Sequence, residues 1–165
     1  MSLSKDAGTE IIQLPCEKDD TDVFFAVKEA LCRGFKDFVL VGVIGQRFDY
    51  SLVNISVLQF LKKNGASGVI YDDYSKVQLV VAGGEPVLVP DTYSYFSLMC
   101  IAGDVSGVTI KNAKYPLGKG TITSDYQYGV SNEVLPGQTA EVTLEKGVLL
   151  LVMCGKVCYF PFSPI

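Results

Sequence analysis

The sequence contains no histidine. That absence removes the usual general base and the commonest zinc ligand, so Ser-His-Asp triads and histidine-based metal centres are excluded. Catalysis in this chain has to rest on carboxylates, lysine, arginine, hydroxyls or a hard cation such as magnesium. Cysteine pairs of the CxxC kind are also missing. The five cysteines stand at 16, 32, 100, 154 and 158, an odd set that argues against a disulfide framework and for reduced thiols in a cytoplasmic protein, most of them packed as apolar filler. No apolar run reaches the roughly 18 residues that a membrane-spanning helix needs, and no signal-peptide pattern opens the chain, so no membrane partner is expected. Charge is scarce: 19% of residues are charged, the net charge is −4 and the pI is near 4.8. Without a basic footprint, nucleic acid and anionic membranes are disfavoured partners, and a small ligand is expected instead. Neither GxxxxGK[ST] nor GxGxxG occurs, so the common phosphate-cradling fingerprints are absent.

What the chain has is apolar content, 48% of 165 residues, enough to offset chain entropy in one large domain or two small ones. The first half alternates strand and helix. GTEIIQLP (8–15) reads as a short strand. TDVFFAVKEALCRG (21–34) has helical apolar spacing, an N-cap oxygen from Asp20 or Thr21, Asp22 in the first turn and Gly34 past the end. FKDFVLVGVIG (35–45) predicts a fully buried strand, YSLVNISVLQFLKKNG (50–65) a helix and SGVIYDD (67–73) another strand. This order implies parallel pairing through right-handed crossovers, hence part of an open α/β sheet. From about residue 74 only strand-like runs follow, among them KVQLVVAG, EPVLVP, YSYFSLMCIA, GVTIKNAKYPL, GTITSDYQ, AEVTLEKG, VLLLVMCG and KVCYFPF. The expected architecture is a flexible tail (1–8), a partial open parallel α/β sheet (9–73) and then a β-sandwich (74–165), with Tyr71, Asp72 and Asp73 near the hinge.

Two charged clusters fall where an open α/β sheet binds its ligands, beyond the carboxyl ends of the strands. One holds Glu17, Lys18, Asp19, Asp20, Thr21 and Asp22. The other holds Gln46, Arg47 and Asp49. On neighbouring strands, about 5 Å apart, Asp22 and Asp49 would face one crevice, an arrangement that calls for a cation or a basic group between them. Magnesium suits it, because it takes oxygen ligands and bridges carboxylates to nucleotide phosphates. The plainer reading of Asp20 or Asp22 is helix capping, and that of Arg47 a surface partner for Asp49.

These blocks, DDTDVFFAV, GQRFDYSLVNISVL, KYPLGKGTITSDYQYGVSNE and AEVTLEKGVLLLVM, together resemble thiamine pyrophosphokinase from about residue 9 to 160. The resemblance implies a homodimer that moves a pyrophosphoryl group from ATP to the thiamine hydroxyl, giving thiamine diphosphate and AMP, with Mg2+. It assigns Asp22 and Asp49 to catalysis and the metal, Lys18, Thr21, Arg47 and Asn54 to the nucleotide, and Ser131 and Asn132 to thiamine. The plainer reading of SNE is a polar turn, and of Tyr115 and Pro116 in KYPL an edge strand. Gln46 stands where the family usually has a second glycine and Tyr50 where it has histidine. The family's first strands and its G-D-F-D-S loop have no counterpart here, so the resemblance implies the carboxyl-terminal two thirds of the enzyme, weakly active or inactive alone. The alternative is a non-catalytic dimerising module that binds a thiamine-like ligand.

Overall fold

Thr21 opens the first helix: in extended backbone, its Oγ1 accepts the Phe24 amide at 3.3 Å, satisfying one of the donors that a helix start leaves orphaned. Asp20, the other expected cap, instead accepts Lys28 Nζ at 2.6 Å. A computed structural model describes residue 12 and residues 19–155. Lys18, Cys16, Cys158, the run 156–162 and, apart from Ile12, the expected strand at 8–15 lie outside the described residues. In chain order the elements are α1 (Asp22–Cys32), β1 (Asp37–Val41), α2 (Phe48–Lys63), β2 (Ser67–Tyr71), β3 (Ser75–Val81), β4 (Val87–Pro90), β5 (Tyr95–Cys100), β6 (Val105–Lys111), β7 (Leu117–Ile122), β8 (Thr139–Thr143) and β9 (Val148–Cys154).

The α/β part and the β-sandwich expected from the sequence are both present, and they share a sheet. Strands order as β1-β2-β3-β9-β5 in one sheet and β4-β8-β6-β7 in the other. Among the described residues only β1 and β2 run parallel, joined through α2; every other strand pair there is antiparallel. The junction near residue 73 is therefore a tight turn inside a continuous sheet. Asp72 Oδ1 accepts the amides of Tyr74 and Ser75 and turns β2 directly into β3.

Strand β9 shows why the two parts are inseparable. Its alternation sends Leu149, Leu151 and Met153 into the core between the two sheets, where they meet Phe96, Leu98, Val108 and Val142. Leu150 and Val152 face the other way, onto the cluster formed by Leu58 of α2 with Ile70 and Val77. A strand covered on both faces reads as a continuous apolar run, which VLLLVMC is.

Strand β1 differs from its expectation. It is shorter than 35–45 because Gly42, at φ 72°, turns the chain away. It is also one-faced: Phe38 and Leu40 pack under the helices, whereas Val39 is 53% and Val41 48% exposed. Among the described residues β1 pairs with β2 alone. The run GVTIKNAKYPL is likewise interrupted: β6 ends at Lys111, because Asn112 takes φ 56° and donates its Nδ2 to Thr139 O at 2.9 Å, and β7 begins only at Leu117. Of the described cysteines, Cys100 is buried with its thiol on Ile122 O, Cys154 is half-buried and Cys32 is exposed, so filler describes only part of the set.

Candidate functional site

The carboxyl end of β1 and the first turns of both helices enclose a cleft of about 400 Å³, lined by Thr21, Asp22, Val23, Gly42, Val43, Gly45, Gln46, Arg47, Tyr50 and Asn54. Its location follows from the topology. A parallel β-α-β crossover puts the loop after β1 and the start of α2 at the strand's carboxyl end, and the packing of α1 against α2 brings the second helix start beside it. Two helix N-termini, each the positive end of a macrodipole, thus border one cleft, which favours an anion there.

The β1–α2 loop is pinned from behind by its own helix. Ser51 Oγ accepts the Gly45 amide at 3.3 Å, and Asn54 Nδ2 donates to Val43 O at 2.6 Å. Both side chains are buried. Asn54, only 4% exposed, keeps its Oδ1 buried and without a hydrogen-bond partner. An orphaned amide oxygen of this kind costs free energy unless something supplies a donor or a cation.

Of the expected nucleotide and metal residues, the structure gathers Thr21, Asp22, Arg47 and Asn54 around the cleft. Asp49 is placed differently. Its carboxylate does not line the cleft; Arg47 takes both its oxygens, Nε reaching Oδ1 at 3.2 Å and Nη2 reaching Oδ2. Two residues apart at a helix start, these side chains fold onto one another instead of reaching across to Asp22. The shared bonds hold the Asp49 carboxyl below its usual range and raise the Arg47 guanidinium further. Arg47 also stacks on Tyr50, with Cζ 4.0 Å from the ring centroid.

The expected thiamine residues lie elsewhere. Asn132 is buried and spends its amide inside the protein: Oδ1 accepts the amides of Tyr115 and Glu133 at 3.0 and 2.9 Å, and Nδ2 donates to Tyr115 O at 2.8 Å. Its backbone bridges Phe96 in both directions at 2.9 Å. These bonds give Asn132 a structural task, clamping the KYPL segment to the edge of β5. Ser131 is exposed, at φ 55°, with its amide on Ser97 Oγ at 3.1 Å.

Sequence reasoning gave no role to Ser51 and treated Tyr50 only as a departure from a family pattern. The available signal was the spacing S-x-x-N in an otherwise apolar helix. Residues three apart share a helix face, so two polar groups on a buried face had to find partners in the adjoining loop.

A fit for magnesium is supported by chemistry more than by carboxylate number. The cleft residues include oxygen donors, namely the Asp22 carboxylate and the Thr21 hydroxyl, and Asn54 adds a buried Oδ1 that lacks a hydrogen-bond partner; hard cations prefer oxygen. Among the described residues no group of three or more His, Cys, Asp or Glu side chains comes together. A cation that keeps its waters and shares the phosphates of a ligand suits such a site; a dedicated protein cage does not.

Residues 1–70 match the model of the thiamin pyrophosphokinase catalytic domain, and residues 87–149 match that of the thiamin pyrophosphokinase vitamin B1 binding domain. A thiamine pyrophosphokinase of Bacillus subtilis (strain 168) is 26% identical over 136 residues, 82% of this chain and 63% of that protein. The crystal structure of thiamine pyrophosphokinase from Bacillus subtilis superposes with a TM-score of 0.78 at 25% identity, covering 86% of this chain and 66% of the other. A thiamin pyrophosphokinase family protein from Enterococcus faecalis gives 0.75 at 26% identity, with 88% and 68% covered. The chain thus spans just under two thirds of the length of the Bacillus subtilis relative. With both domain models of one family matched in order over most of its residues, the chain belongs to the thiamine pyrophosphokinase family.

Proposed function

We propose that this chain serves the thiamine diphosphokinase reaction, the transfer of a pyrophosphoryl group from ATP to the thiamine hydroxyl, giving thiamine diphosphate and AMP. The observation that carries the reading is the cleft where Thr21, Asp22, Arg47 and Asn54 meet beside two helix N-termini. Such a transfer needs positioning and charge neutralisation more than covalent catalysis. Arg47 would hold phosphate oxygens, Thr21 and the amides of the first turns would orient the chain of phosphates, and Asn54 would keep the loop at its distance. Asp22 would hold Mg2+, which when bound neutralises charge on the polyphosphate.

The thiamine end of the reaction favours a homodimer. The turn with Ser131 and Asn132 flanks β5, one edge of the five-stranded sheet, and the cleft lies beyond β1 at the opposite edge. Four strand spacings separate these edges, roughly 19 Å, too far for one small alcohol to reach a nucleotide. A second copy could set its residues 74–165, proposed as the thiamine-binding unit, against the α/β unit (9–73) of the first. Free thiols at Cys32, Cys100 and Cys154 agree with a cytoplasmic setting. No helix among the described residues is long and apolar enough to cross a membrane.

One observation favours a non-catalytic thiamine-binding module: among the described residues Asp22 is the single carboxylate lining the cleft. Measuring AMP released from ATP with thiamine and magnesium separates the two. Release that requires thiamine and disappears in Asp22→Asn supports the transfer; thiamine binding by calorimetry with no AMP formed supports the module.

A further inference from the structure

Arg47 is held on two sides. Asp49 takes its Nε and one Nη2 hydrogen, and the Tyr50 ring covers one face of the guanidinium at 4.0 Å. A guanidinium carries five N–H donors in a rigid plane. With the Nε–Nη2 edge spent on Asp49, one Nη1 hydrogen and the second Nη2 hydrogen remain on the adjoining edge, a fork suited to a phosphate group. Arg47 and Tyr50 line the cleft, whereas Asp49 does not, and Arg47 is the one basic side chain among the described residues that do. Stability is a poor explanation for this arrangement. The Arg47 and Asp49 side chains are 67% and 63% exposed, and ion pairs so open to water add little to folding. What they add is direction, because a long flexible side chain is fixed in one plane before any ligand arrives, and the entropy of fixing it is not lost again on binding.

We propose that Asp49 and Tyr50 are positioning residues that act through Arg47, together presenting its open guanidinium edge to a phosphate of the nucleotide without themselves touching the metal. The inference rests on the nucleotide reading of the cleft and deepens it: Asp49, expected from the family resemblance to be a metal carboxylate, becomes the residue that aims an arginine. A clamp of this kind works without a divalent ion, and that separates the two roles.

The test is calorimetric titration of ATP into the full chain, once in EDTA and once with magnesium, with folding of each variant checked by circular dichroism. Arg47→Ala is expected to weaken ATP binding in EDTA about 10- to 100-fold, the range of a charge-assisted fork. Tyr50→Ala is expected to weaken it about 3- to 10-fold, and Tyr50→Phe, which keeps the ring, to recover most of that loss. Asp49→Asn is expected to weaken binding equally in EDTA and in magnesium. Coupling provides the readout that a merely structural role would not move. In an Arg47→Lys background, which keeps the charge but cannot fork onto Asp49, Tyr50→Ala is expected to cost less than about twofold. The same loss from Tyr50→Ala in both backgrounds would show that Tyr50 meets the ligand directly and overturn the proposal. So would an Asp49→Asn variant that loses magnesium affinity while binding ATP normally in EDTA. A wild-type chain that binds no ATP in either condition overturns the nucleotide reading itself, an outcome distinct from an uncoupled Tyr50.

Discussion

The β-sandwich and the α/β part treat their buried polar groups differently. Between the two sheets, Phe96, Leu98, Val108, Ile122, Ala140, Val142, Leu149 and Leu151 are all essentially buried, and Asn132, the one buried polar side chain of the sandwich among the described residues, has partners for its oxygen and its nitrogen. Both parts leave large apolar side chains exposed, Val39 and Phe48 in the α/β part and Leu88 and Tyr126 in the sandwich, but in the α/β part the buried Asn54 keeps an unpaired oxygen. One region has closed its accounts and the other has not. Unsatisfied polar atoms and directed charges collect where a ligand is to be held, because a site must offer groups that the fold has left unused.

The sharpest way to break this contrast is to cut the strand common to both regions. Leu151→Ala in β9 should lower stability by about 2–5 kcal/mol. In urea, far-ultraviolet circular dichroism and tyrosine fluorescence should report a single shared transition, and two separated transitions would mean that the halves fold independently. Next in size is Asn132→Ala, which strips partners from the Tyr115 amide and carbonyl and should cost about 1–3 kcal/mol; loss of hydrogen-exchange protection at the Tyr115 amide would locate the damage. Within the α/β part, Thr21→Ala removes the cap of α1 and should cost about 1 kcal/mol, read as a shift in the urea midpoint. The smallest effect concerns Asp49. Its carboxyl is held below the usual range by Arg47, so the stability it contributes is present above the unfolded value, near 3.8, and fades as pH falls through the lower folded value. The difference in urea midpoint between wild type and Asp49→Asn should therefore shrink as the pH is lowered below about 4.

Much of the fold was legible in local patterns. Apolar spacing and end signals located α1 and α2, and Gly34 at φ 92° sits where a helix exit needs a left-handed residue. The parallel pair β1–β2 followed from the strand-helix-strand order. Burial of β1 was misjudged because an apolar run states a preference for being covered and does not say what covers it; Val39 and Val41 meet that preference with nothing among the described residues. The split of GVTIKNAKYPL at Asn112 escaped for a related reason, since a single left-handed residue interrupts a strand without changing its composition.

At the candidate site the residue types were legible and their pairings were not. Nothing in the spacing of Arg47, Asp49 and Tyr50 distinguishes a carboxylate turned toward a metal from one turned toward its neighbour. The same holds for Asn132, whose amide could face a ligand or, as here, the Tyr115 backbone.

By itself, the sequence determined the element types, the parallel crossover, the exclusion of histidine chemistry and the family, because these depend on residue type, local spacing and motif order. Only the tertiary structure decided that β9 joins the two parts, that Asp22 and Arg47 border one cleft while Asp49 turns to Arg47, and that Asn132 serves the fold. The reason is physical: a hydrogen bond is decided among competing partners within about 3 Å, and which partners come that close depends on how distant segments pack.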